Sequence, residues 1–198
     1  MLTSYKPDVF DTLEHFFTAR DLLEQAQDNM TELGAIIRSH GLQKQVGICL
    51  LHKHFDLSDN ERLVEEFDGN NAYVKPTAEY GDAIPYMWKV EQNQASGEWV
   101  WFPLEFVRVT EAVKLSELGM TGMFGISILH RDAIKVAEGE ILVESTDDEA
   151  RVLTLSSVPR QNVDRTTLTQ TLWQFPNAEG FEVGAMCSHC THCTHCTH

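Results

Sequence analysis

The chain has 198 residues, of which 42 % are apolar and 23 % charged, with 15 basic against 30 acidic side chains and a net charge of −15. This is globular composition, of a length that suits one domain with a sizeable core and a short appended segment. So acidic a chain repels phosphate, which argues against nucleic acid or an anionic membrane as a partner.

Residues 1–8 lack the basic start and apolar run of a secretory leader. No apolar stretch approaches the roughly 20 residues needed to cross a bilayer. A soluble, cytoplasmic protein is expected. Cysteine usage agrees, because only Cys49 lies in the body, inside an apolar run where it reads as a small buried hydrophobe.

In chain order, the first forty residues carry a helical stripe of Val9, Leu13, Phe16, Phe17, Leu23, Met30, Leu33 and Ile37. Asp8 or Asp11 is a candidate cap, Gly41 a stop, and the stretch from Asn29 to Thr31 a break that would divide the stripe into two helices. The period then changes. Strands are expected over 45–57, 62–67 and 72–75, with a turn at Asp68-Gly69-Asn70-Asn71. A hairpin follows over 84–90 and 99–109, whose Tyr86, Trp88, Trp99 and Trp101 are expected to pair across strands over a core. Gly119, Gly122 and Gly125 predict a bend into a strand over 124–130. Another hairpin spans 141–145 and 151–156, and the last strand spans 167–175. A helical start followed by many antiparallel strands, without βα alternation, predicts an α+β fold. Its N-terminal helical segment would pack on a mainly antiparallel sheet or partly open barrel. At Gly184 the composition changes abruptly, which divides the chain into a domain over 1–183 and a tail over 184–198. Lacking large apolar side chains, the tail is expected to be disordered.

The tail is where the sequence speaks chemically. Residues 187–198 read Cys-Ser-His-Cys-Thr-His-Cys-Thr-His-Cys-Thr-His, a tandem triplet. Cys187, Cys190, Cys193 and Cys196 supply thiols, and His189, His192, His195 and His198 supply imidazoles. Thiolate suits Cu(I) and Zn(II), and imidazole suits Zn and Cu. Two tetrahedral ions can be counted, one on Cys187, His189, Cys190 and His192 and one on the remaining four. Short chelate loops make such cages awkward, whereas Cu(I) on thiolates strains the backbone less. Zinc fingers separate their ligand pairs by a dozen or so residues. No such spacer exists here, which argues against one. The bland alternative is a low-complexity expansion or an added metal tag.

A second, weaker metal candidate is His52-Lys53-His54. On a strand, residues two apart share a face, so both imidazoles would point one way. Glu61 and His130 are the available partners for them. The order Gly47, His52, His54, Glu61 resembles the first cupin motif only in part. Gly47 stands one position too close, Glu61 is displaced, and nothing corresponds to the second motif, so no family is assigned. The bland alternative for this pair is two polar residues at a strand end, hydrogen-bonded to backbone.

The leading expectation is a protein that binds or transfers a transition metal, Cu(I) or Zn(II), through its tail, with the body as a docking or sensing platform. Two alternatives stand beside it: a metal-dependent enzyme built on the His-x-His pair, and a protein-interaction module whose tail is inert. No Walker loop, Gly-x-Ser-x-Gly elbow or Ser-His-Asp order is present, and no catalytic residue is assigned.

Overall fold

The computed structural model describes residues 2–23, 30–107, 124–129, 134–176 and 182–188. Three short helices come first: α1 (Pro7–Asp11), α2 (Phe16–Leu23) and α3 (Met30–Ser39). The N-cap of α1 is Lys6, with Pro7 preset for the first turn, so neither Asp8 nor Asp11 caps it. Asp11 instead accepts from the Leu57 amide at 3.2 Å. Gly41 does end α3. At φ +71° it lets its own N–H reach the Arg38 carbonyl and the Leu42 N–H reach that of Ile37, a Schellman closure that satisfies carbonyls the helix leaves open.

Among the described residues ten strands follow: β1 (Val46–Leu50), β2 (Arg62–Asp68), β3 (Asn71–Thr77), β4 (Ile84–Gln92), β5 (Trp99–Val107), β6 (Phe124–Ile128), β7 (Glu140–Asp147), β8 (Val152–Pro159), β9 (Leu168–Gln174) and β10 (Glu182–Ser188). They pair in the order β1-β6-β4-β5-β2-β3-β8-β7-β10-β9, and β9 returns to β1, so the mixed sheet curls round onto itself. Among the described residues the pairings are antiparallel except β2 with β5 and β7 with β10. The α+β class and the mainly antiparallel sheet stand as expected.

Four expectations need correcting. The strand expected over 45–57 stops at Leu50, and the chain turns away from the ladder before His52. The strand over Leu168–Gln174 is not the last. β10 pairs along its length with β9 and touches β7, carrying the sheet past Gly184 as far as Ser188. The β4–β5 tryptophans do not face one another: Trp88 sits opposite Pro103, Trp101 opposite Val90, and Trp99 is 43 % exposed. Pro85 and Pro103 bring no N–H to this ladder, and the register shifts between Pro85, Met87 and Trp88. The helical stripe, finally, breaks also between α1 and α2, over residues 12–15, while Asn29 of the expected break lies outside the described residues. Gly119, Gly122 and residues 189–198 lie outside the described residues.

Both faces of β1 are buried, and they face different cores. Cys49 and Leu51 look into the barrel with Leu63, Val74, Leu104, Leu155 and Leu172, where α1 adds Phe10 and Leu13. Val46, Ile48 and Leu50 look outward beneath α2 and α3, against Ala19, Met30, Ile37 and Trp173. Two glycines allow this double packing. A Cβ on Gly125 would collide with the Trp88 carbonyl and Leu51, and one on Gly34 would enter the Phe175 ring. No helix of the described residues is long and apolar enough to cross a membrane.

Candidate functional site

Where β1 ends, the chain carries two histidines into the mouth of the barrel. The Lys53 N–H donates to the Glu14 carbonyl at 2.9 Å, and the Phe16 N–H to the Lys53 carbonyl at 3.1 Å. The backbone of 52–54 is thereby clipped to the α1–α2 junction. Lys53 itself is 9 % exposed. Its ammonium donates to the Asp11 carbonyl at 2.6 Å and pairs with Asp56 at 2.7 Å, which holds the Asp56 carboxyl below its ordinary range.

With Lys53 turned to those partners, His52 and His54 meet on the other side. Their Nε2 atoms are 3.1 Å apart. Phe16 packs edge-on to His52, with centroids 5.1 Å apart, and stacks on His54 at 5.6 Å. The Nδ1 of His52 lies 2.9 Å from the Leu50 carbonyl. A carbonyl can only accept, so Nδ1 carries the hydrogen and Nε2 presents a lone pair. The bond between the rings must then be donated by Nε2–H of His54.

Burial pushes both imidazoles toward the neutral form. For His54 the pKa falls to about 3, first through desolvation and then through the neighbouring His52 and His15. For His52 it also falls through desolvation, opposed by the carboxylate of Glu144 and the bond to Leu50. Both rings are therefore uncharged at neutral pH, the state in which imidazole binds metal or accepts a proton.

Beside them lies a cavity of about 40 Å³, lined by His52, Lys53, His54, Cys49, Ser127, Glu105, Glu144 and Thr171 among apolar neighbours. Such a space holds on the order of three water molecules or a small ligand. Thr171 donates to Glu144 at 3.1 Å, and the Tyr86 hydroxyl donates to Glu105. The pocket thus combines two neutral imidazoles with two carboxyls, the hydroxyls of Ser127 and Thr171, and Lys53, in a lining that is otherwise apolar.

The pattern His-x-His brought its two residues together, although by a turn beyond the strand rather than along it. Glu61 is engaged elsewhere. It forms a two-pronged pair with Arg151 at 2.7 and 3.2 Å and accepts from the Ser58 amide at 2.8 Å, contacts that hold its pKa down. It does not line the cavity. His130 lies outside the described residues, as do His189, Cys190, His192, Cys193, His195, Cys196 and His198. The backbone of Cys187 is in β10, in register with Thr169 on one side and Glu144 on the other.

Pattern reading missed Glu105 and Glu144, and the charge of His15 that reaches His54. A signal existed for Glu144: it stands two residues after the buried Leu142, on the buried face of a strand where an acid is out of place. Among the described residues, no group of three or more His, Cys, Asp or Glu side chains is arranged to hold a metal ion. Comparison of the chain with protein families, with curated proteins and with solved structures finds no match.

Proposed function

We propose that this protein binds or transfers a transition metal, Zn(II) or Cu(I), through residues 187–198. The observation that carries the proposal is the donor inventory, four thiols and four imidazoles in the last twelve residues. These are the donor types that both ions take. The register of β10 supports it, because Cys187 starts the repeat from a fixed point in the sheet. Cu(I) would use Cys187, Cys190, Cys193 and Cys196, while Zn(II) would recruit imidazoles as well.

The test is elemental analysis of untagged protein purified anaerobically, as the full chain and as a chain ending at Ser188. A stoichiometric ion in the full chain that disappears with residues 189–198 is the expected result. Binding no tighter than micromolar in the full chain would leave the repeat as low-complexity sequence.

A metal-dependent enzyme is the second reading, favoured by the neutral His pair beside a cavity that also holds Glu105 and Glu144. It expects the opposite result: an ion retained by the chain that ends at Ser188.

A further inference from the structure

The cavity beside the histidines is the inside of the barrel. Each strand from β1 to β9 lends a side chain to its wall, from Cys49 on β1 round to Leu172 on β9. Phe10 of α1 and residues 52–55 complete the described lining. Barrels of about eight strands or more have room for one small ligand. Here large side chains fill most of that room and leave about 40 Å³. That suits a molecule of about three non-hydrogen atoms, in place of the same number of waters.

Part of this wall is held from outside the cavity. Arg151, in the turn between β7 and β8, makes its two-pronged pair with Glu61, donates to the Asp56 carbonyl at 2.6 Å and lies 5.5 Å from the ring of Phe55. Its backbone stands at φ +54°, in the left-handed region that non-glycine residues avoid. A glycine would adopt that turn without strain, but it could not hold the segment. With Lys53 tied to Asp11 and Asp56, the residues over 52–57 are fixed before any ligand arrives, as in a pocket formed in advance.

The lining selects by charge. Glu105 accepts from the Tyr86 hydroxyl and Glu144 from that of Thr171. A carboxylate has about four acceptor sites, so one hydroxyl does not exhaust it. Lys53 is the one ammonium in the described lining, and it is turned to the Asp11 carbonyl and Asp56. The neutral His52 and His54 do not repel a positive charge. Phe10 and Phe55 are aromatic, and ring faces attract cations. An anion would meet two like charges here instead.

We infer that the barrel encloses a binding chamber for a small organic cation, an alkylammonium of one or two carbons, which Glu105 and Glu144 recognise through charge-assisted hydrogen bonds. This goes beyond the metal-binding function proposed above and does not depend on it, so its test is run with a chelator present.

The experiment is an NMR titration of the full chain at neutral pH in EDTA, with ethylammonium, ethanol and acetate as probes of similar size and different charge. Ethylammonium should saturate with a Kd on the order of 1–10 mM, as suits three non-hydrogen atoms, and should shift the ring signals of both His52 and His54. Ethanol and acetate should bind at least about tenfold more weakly. Glu144→Gln should weaken ethylammonium about tenfold, whereas Glu98→Gln, at an exposed position, should leave its binding unchanged. Acetate binding as tightly as ethylammonium would overturn the inference. An equal loss in the two variants would do so too, because it would mark general attraction to an acidic chain. So would a folded Glu144→Gln variant that binds as before. Where that variant fails to fold, the unaltered protein decides: ring signals that stay in place throughout the ethylammonium titration would overturn the chamber.

Discussion

The imidazoles of this chain are organised in two opposite ways. His52 and His54 are two residues in an ordinary stretch, and the fold does everything for them. A turn after β1, the stacked Phe16 and the Leu50 carbonyl fix their rings, tautomers and charge. The C-terminal repeat does everything in the sequence: its donors recur every third residue, and Cys187, the one donor among the described residues, lies in β10. A site made by folding is dear to assemble and sensitive to core changes. A site made by repetition tolerates them, and takes its geometry from the ion it meets. The difference shows why a ligand count finds the second kind at once and cannot weigh the first.

Damage to the core should therefore separate the two most sharply. Trp173 is 1 % exposed in the layer between β1 and the helices. Trp173→Ala should cost about 3–5 kcal/mol in chemical denaturation of the metal-free protein, whereas serine at all four repeat cysteines should cost almost nothing. A loss under about 1 kcal/mol for Trp173→Ala would mean that the helices do not depend on this layer.

Of the two histidine groups, acid should act on the fold-made pair, and the depressed carboxyls of Asp56 and Glu61 add to the loss in the same direction. Folded His54 titrates near about 3, against 6.5 for an ordinary histidine. Between these values the unfolded chain holds the extra proton, so stability is untouched above the upper pKa and falls as the pH drops below it. By about pH 4 the loss from His54 is on the order of 3 kcal/mol, and His52 adds to it in the same direction. Melts of metal-free protein against pH should show this slope, and His54→Gln should flatten it. An unchanged slope in the variant would mean that His54 is not buried as described.

Much of the fold was legible in the sequence because local chemistry set it. Gly41 stops α3, the apolar alternation of Leu153 and Leu155 marks β8, and Gly69, at φ +60°, makes the β2–β3 turn. What stayed hidden depends on distant partners. β10 has no signal of its own: it is a strand because the edges of β9 and β7 lie open to it. Glu61 was legible as a carboxylate near the histidines in sequence, but Arg151, ninety residues on, takes it. Glu144 stood out as an acid on the buried face of β7, but its place in the pocket came from the topology.

A helix contact gives a milder contrast. Gly34 lets α3 lie on the buried Phe175 ring. Gly34→Ala gains roughly 1 kcal/mol in helix propensity but forces that ring aside, so a net loss of about 1–2 kcal/mol is expected in denaturant. Net stabilisation would show that α3 can lift away without cost. The smallest effect should come from removing residues 189–198. The midpoint of the metal-free protein should move by no more than about a degree, since β10 ends at Ser188. A cut before Cys187 should cost more, because it takes two residues out of β10.

X-ray absorption by the protein loaded with one equivalent of Zn(II) measures the two regions together. An ion held by the repeat gives a shell that contains sulfur at about 2.3 Å beside nitrogen at about 2.0–2.1 Å. The sulfur should vanish from the chain ending at Ser188, and the shell should be unchanged in the His52→Gln, His54→Gln variant. A full-chain shell without sulfur would contradict metal binding by the repeat.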